Sequence, residues 1–124
     1  MEAGVKYHLV IPGRAVPAAR MTVRGKWIRR QAQRYLAYKQ YVGYHARRVI
    51  KEPLRGSVRV LVDVFLNGGR MGDIDNYYKA VTDSMNGICW YDDSQIVDAR
   101  IRLRQASSPE RERVEVTIWG LEEE

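Results

Sequence analysis

An α+β two-layer sandwich, a mixed sheet of about four strands with two main helices packed on one face, is the fold class that three patterns in this 124-residue chain predict. Val58, Val60, Val62, Val64 and Leu66 repeat with a strict period of two. Tyr35, Leu36, Tyr38, Val42, Val49 and Ile50 recur at roughly helical spacing. The segments so identified follow the order β-α-β-α-β-β.

Taken in turn, Val5, Tyr7, Leu9 and Ile11 alternate with Lys6, His8 and Val10, which predicts a first strand ending at Pro12-Gly13. The pattern breaks between Arg14 and Arg30. There Arg24-Gly25 suits either the turn of an extra N-terminal hairpin or a mobile loop, and both alternatives stay open. A helix is predicted from Gln31 to about Lys51, with Arg34, Gln40, Arg47, Arg48 and Lys51 pointing away from its apolar stripe. Gly43 weakens it by about 1 kcal/mol relative to alanine, and Pro53 and Gly56 end it. Ser57 to Leu66 is the next strand, stopped by Asn67-Gly68-Gly69. Ile74, Tyr77, Tyr78, Val81 and Met85 step by three and four, which predicts a second helix closing at Asn86-Gly87. Val97, Ala99, Ile101 and Leu103 alternate with Asp98, Arg100, Arg102 and Arg104. A loop through Ser107-Ser108-Pro109 then leads to a partner strand with Val114, Val116 and Ile118 facing inward.

The length suits one domain over residues 1–124, with enough apolar residues for a core. A single cysteine, Cys89, sits between Ile88 and Trp90 and reads as a buried thiol rather than a ligand or nucleophile. The N-terminal run lacks the basic leader and long apolar core of a signal peptide, and no segment approaches membrane length, so a cytoplasmic protein is expected.

Charge is segregated along the chain. Residues 1–56 carry 13 Lys/Arg against Glu2 and Glu52, whereas residues 57–124 carry 8 against 13 Asp/Glu. Asp73, Asp75, Asp83, Asp92, Asp93 and Asp98 fall in a stretch whose only Lys or Arg is Lys79. Cations to grip phosphate beside carboxylates to hold metal suit a metal-using nuclease.

The chemistry concentrates in Gly72 to Lys79, Asp83 and Asp92 to Gln95. Mid-helix residues two apart diverge by about 200°, so Asp73 and Asp75 can share a ligand only if Asp73 is the cap and Asp75 lies in the first turn. Asp75, Lys79 and Asp83 are spaced by four and stack along one helical face. Each piece has an ordinary explanation alone: Asp-x-Asp as a helix cap, Lys79 in a surface ion pair, Asp92-Asp93-Ser94 as a turn. In conjunction they predict Asp93 returning beside Asp73 and Asp75. Three hard oxygen ligands suit Mg²⁺ or Mn²⁺, and no His or Cys spacing argues for zinc.

The run G-D-I-D-N-Y-Y-K-A-V-T-D-S-M-N-G from Gly72, followed by D-D-S-Q-I-V from Asp92, resembles the signature of RusA-type Holliday junction resolvases: D-x-D-N-x-x-K, then D, then D-D-x-Q. Every motif position is filled, and the flanking strands and basic N-terminal half fit the family in outline. The resemblance implies a homodimeric, metal-dependent crossover junction endodeoxyribonuclease that nicks four-way junction DNA in recombination and repair. It marks Asp73, Asp75 and Asp93 as metal-binding catalytic acids and Lys79 as the essential cation. Asp92 is a further metal candidate, ranked second because an extended loop turns its side chain away from that of Asp93. Asp83 would orient Lys79, or pair with it structurally, and Asn76 supports the motif.

DNA contact is expected from Arg20, Arg24, Lys26, Arg29, Arg30 and Arg34 around Trp27, which stacks on an unpaired base or packs into the core. Arg47 and Arg48 are weaker candidates, and His8 and His45 read as structural. Two rivals remain: a non-catalytic basic nucleic-acid-binding module, and a metal nuclease acting on flaps or forks.

Overall fold

A computed structural model describes residues 2–19, 25–70 and 72–122. The alternation around Tyr7, Leu9 and Ile11 becomes strand β1 (Glu2–Pro12), with Leu9 and Ile11 buried. Helix α1 (Gly25–Val49) follows. Its first six residues replace the second arm of the hairpin that Arg24-Gly25 had suggested. Lys26, Trp27, Ile28, Arg29 and Arg30 contain no breaker, and once a helix is nucleated each of them adds a backbone hydrogen bond at little entropic cost. Arg24, the first residue of the expected turn, lies with residues 20–23 outside the described residues.

Gly43 does not interrupt α1, because it marks a close approach. A Cβ built there would lie 3.3 Å from the Ile88 side chain and 3.8 Å from the Ser84 carbonyl, so the missing side chain lets α1 sit against the second helix. Strand β2 (Val58–Leu66) carries the strict alternation: Val58, Val60, Val62, Val64 and Leu66 are all buried against the helices. Helix α2 (Ile74–Met85) buries Tyr77, Ala80, Val81 and Met85 and stops at Asn86, where Trp90 Nε1 donates to Asn86 Oδ1 at 2.5 Å. Strands β3 (Ile96–Gln105) and β4 (Arg113–Glu122) complete the order β-α-β-α-β-β.

The four strands form one mixed sheet in the order β1-β4-β2-β3. Val114, Val116 and Ile118 are fully buried, as their pattern requires. Their strand, however, is not the partner of β3. The α2 crossover returns the chain parallel to β2 on its outer side, so β3 becomes an edge. The slot between β1 and β2 is then filled by β4, antiparallel to both, which satisfies its backbone groups on both sides. Asp98 and Arg100 keep the β3 edge charged, which discourages further strand pairing.

Both helices cover one face of this sheet. On the other, alternate residues pair across strands: Arg102 forks onto Asp63 at 2.5 and 2.8 Å, Arg59 reaches Asp98 at 2.9 Å, and the Arg113 guanidinium lies 3.9 Å from the centre of the Phe65 ring. His8 bridges to Thr117 and Glu115 on that face, which fits its expected structural role. No helix among the described residues is long and apolar enough to cross a membrane.

Candidate active site

The start of α2 is set by the loop that ends β2. Asn67 is fixed there, its N–H bonded to Glu112 and its amide to the Ala106 carbonyl, and Arg14 binds both Glu112 and the Gly69 carbonyl. Asp73 follows as the N-cap residue in extended conformation (φ −79°, ψ 158°), and its carbonyl accepts from Asn76 and Tyr77 N–H. Its carboxylate makes no capping hydrogen bond. The ordinary explanation of Asp73, a side-chain cap worth about 0.5 to 2 kcal/mol, therefore finds no bond to rest on. Asp75 occupies the first turn, as the spacing required, and Asn76 uses its carbonyl to hold Ala18 N–H at 2.9 Å.

One turn further along, Lys79 Nζ lies 3.8 Å from Asp83 Oδ2, and the Tyr35 hydroxyl donates to the same oxygen at 3.4 Å. Burial first, and the Asp83 carboxylate second, push the Tyr35 hydroxyl up to about 12, so it stays a proton donor at neutral pH. Asp83 thus pairs with Lys79 on the exposed side of α2, one helical turn away.

The second acidic pair arrives on a short 3₁₀ turn, Asp93–Gln95. Asp92 accepts from Ser94 N–H at 3.1 Å, and Gln95 reaches back to the N–H groups of Tyr91 and Asp92 at 2.7 and 3.0 Å, a capping box. The Gln95 amide also donates to the carbonyls of Leu54 and Gly56, both at 2.8 Å, which pins the turn to the body of the fold. Hydrogen bonds from Ser94 hold the Asp92 carboxyl below its ordinary range. Asp93 is left over the α2 face, in a cleft of about 380 Å³ shared with Tyr78, Lys79, Thr82, Asp83, Ile96 and Ala99. Tyr78 is raised by burial and then by Asp93, which keeps its hydroxyl neutral beside that carboxylate.

The six aspartates of this stretch divide cleanly. Asp83 pairs with Lys79, Asp92 caps its turn and Asp98 pairs with Arg59. Asp73, Asp75 and Asp93 have no salt bridge or side-chain hydrogen bond among the described residues. These are the three acids marked by the resemblance as metal ligands. All three are exposed oxygen donors, the chemistry that Mg²⁺ or Mn²⁺ prefers. The structure does not draw them to one point: among the described residues no group of three or more His, Cys, Asp or Glu is close enough to hold an ion. Asp93 instead meets α2 at Tyr78 and Lys79, about one turn from Asp75.

Of the expected DNA-contacting residues, Arg30 and Arg34 are exposed on α1. Lys26, Trp27 and Arg29 fall in its first turns with side chains outside the described residues, and Arg20 and Arg24 lie outside them altogether. Tyr78 and Thr82 in the cleft were not singled out from the sequence. Their signal was position: three and seven residues beyond Asp75, they share its helical face. The Asp92 to Gln95 capping box also had a signature, Asp-x-x-Gln, which the acidic pair obscured.

Fold and acid set together define an α+β domain whose second helix opens on exposed, unpaired carboxylates. The family described as Endodeoxyribonuclease RusA matches residues 12–119, and the chain belongs to this family. It is also 44% identical over 46 residues, 37% of its length, to "Uncharacterized protein YqaN" of Bacillus subtilis (strain 168). That match takes in 30% of the Bacillus protein.

Proposed function

We propose that this protein is a divalent-metal-dependent endodeoxyribonuclease that resolves four-way DNA junctions by paired hydrolysis of phosphodiesters, acting as a cytoplasmic homodimer in recombination and repair. The reading rests on one observation above the rest: among six clustered aspartates, the three without a structural partner are the three that the family motif reserves for metal. Exposed carboxylates without a protein cation beside them are free to take a dication.

Asp73, Asp75 and Asp93 would hold Mg²⁺ or Mn²⁺, Mg²⁺ needing only one or two direct carboxylates because it retains several waters. When bound, the ion supplies charge to the phosphate oxygens and a water nucleophile at neutral pH. The protein's own share is positional. Lys79, restrained by Asp83, presents its ammonium to the phosphate that enters the cleft, where it offsets charge developing on the phosphorus oxygens. The neutral Tyr78 hydroxyl offers a donor to the same phosphate. Arg30, exposed on α1, holds the backbone of an adjoining arm.

The test is cleavage of a synthetic four-way junction with and without Mg²⁺, in competition with flap, fork and linear duplex. Symmetric nicking of the junction is expected only with metal, and Asp75→Asn should bind the junction without cutting it. Cutting by Asp75→Asn at the wild-type rate would remove the site, and preferred cutting of flaps or forks would change the substrate.

A further inference from the structure

Beside the acidic start of α2 lies a second hollow, of about 210 Å³, that the cleavage chemistry does not use. One wall is the segment Val16 to Ala19, clipped to α2 by the Ala18 N–H to Asn76 carbonyl bond. A Cβ at Gly72 would come within 2.9 Å of Pro17, so glycine is what lets this wall close on α2. Gln31 and Arg34, one turn apart on α1, face it, and Asn76 completes the lining next to Asp75.

We propose that this hollow receives a single unstacked nucleobase of the DNA, adjacent to the phosphate being cut, and that Gln31 with Arg34 reads its edge. The proposal rests on the nuclease reading above. Two features select a base over other occupants. Its volume is below the roughly 300 to 1,000 Å³ of sites for larger ligands, which limits it to one ring system. The apolar wall Val16, Pro17, Ala18 and Ala19 offers a surface for a ring face, while two carboxamides and a guanidinium offer planar donors and acceptors for its edge. At a branch point a base is cheap to unstack, since its stacking is already interrupted. The pocket therefore sets where along the strand the nuclease cuts.

The experiment uses the full chain and a mobile four-way junction whose branch samples many sequences. Wild type should cut at a restricted set of positions. Gln31→Ala should still cut, with its preference among positions reduced on the order of tenfold, the scale of one base-edge contact. Ala19→Leu, which fills the hollow without removing a polar group, should do the same. In parallel, 2-aminopurine placed next to the preferred cut, bound to Asp75→Asn protein, should change fluorescence, and the change should vanish with Ala19→Leu added. Unchanged cut positions in both variants, or a 2-aminopurine signal indifferent to Ala19→Leu, overturns the pocket while junction cutting stands. Absence of junction cutting by wild type overturns the function, and the pocket with it.

Discussion

Gly72 and Pro17 touch so closely that the structure has no room for a methyl group between them: a Cβ on residue 72 would sit 2.9 Å from Pro17 Cβ and 3.0 Å from Cγ. The contact joins the irregular segment following β1 to the acidic start of α2, and a proline ring cannot swing aside as a longer side chain would. Gly72→Ala should therefore lower stability by about 1 to 3 kcal/mol, the usual effect of overfilling a packed contact. Junction cutting should fall as well, because Asp73 moves with the displaced backbone. Urea unfolding and cleavage rates together check this. A variant matching wild type in both would mean that residues 16–19 do not seat on α2.

Adjacent aspartates should behave in opposite ways. Asp92 is committed to Ser94 N–H and the capping box, whereas Asp93 has no salt bridge or side-chain hydrogen bond among the described residues. Asp92→Ala should lower the melting temperature and leave measurable cutting. Asp93→Asn should keep or raise the melting temperature and reduce cutting on the order of a hundredfold or more, the scale for losing a group that stabilises charge in the transition state. Equal loss of cutting in both variants would contradict this division of labour.

How far could these relations be read before the structure? Helix α2 and strand β2 were legible because each carries an apolar stripe at its own period, so periodicity alone locates them. The first turns of α1 were not, since Gly25 and a run of basic residues hide helical spacing. Nor was the insertion of β4 between β1 and β2: sequence order favours pairing β4 with β3, and only the α2 crossover, which carries β3 to the outer edge, prevents it. At the site, the four-residue spacing of Lys79 and Asp83 gave their contact directly. Which aspartates lack partners could not be read from spacing. Arg59 and Asp98 are paired by strand register, and register is a tertiary property.

Tyr38 gives a test of packing apart from the site. Its hydroxyl is buried with no hydrogen-bond partner among the described residues, and burial raises its pKa. A buried hydroxyl left unbonded is destabilising by roughly 1 to 3 kcal/mol relative to one that is solvated or paired. Tyr38→Phe removes the oxygen and keeps the ring, so the variant should be at least as stable as wild type, by up to about 1 kcal/mol. Urea titration decides. A loss greater than about 1 kcal/mol would show that the hydroxyl is bonded in solution.

Cys89 links the core to pH. It is fully buried in the core next to Trp90, and burial pushes its thiol up to about 12 from an ordinary 9.0. The neutral form is therefore favoured in the folded protein, and the unfolded chain releases the proton first. Its contribution to stability is complete below pH 9 and is lost progressively as pH rises from about 9 towards 12. Tyr35, also raised to about 12, acts in the same direction from its ordinary value of 10. Stability should thus decline on the alkaline side, and less steeply in Cys89→Ala than in wild type, although that variant starts lower because it leaves a small cavity. At pH 8 the folded thiol should react with a disulfide reagent only at the rate of unfolding, and urea should release it. Rapid labelling of the native protein at pH 8 would place the thiol outside the core and remove the basis for the alkaline effect.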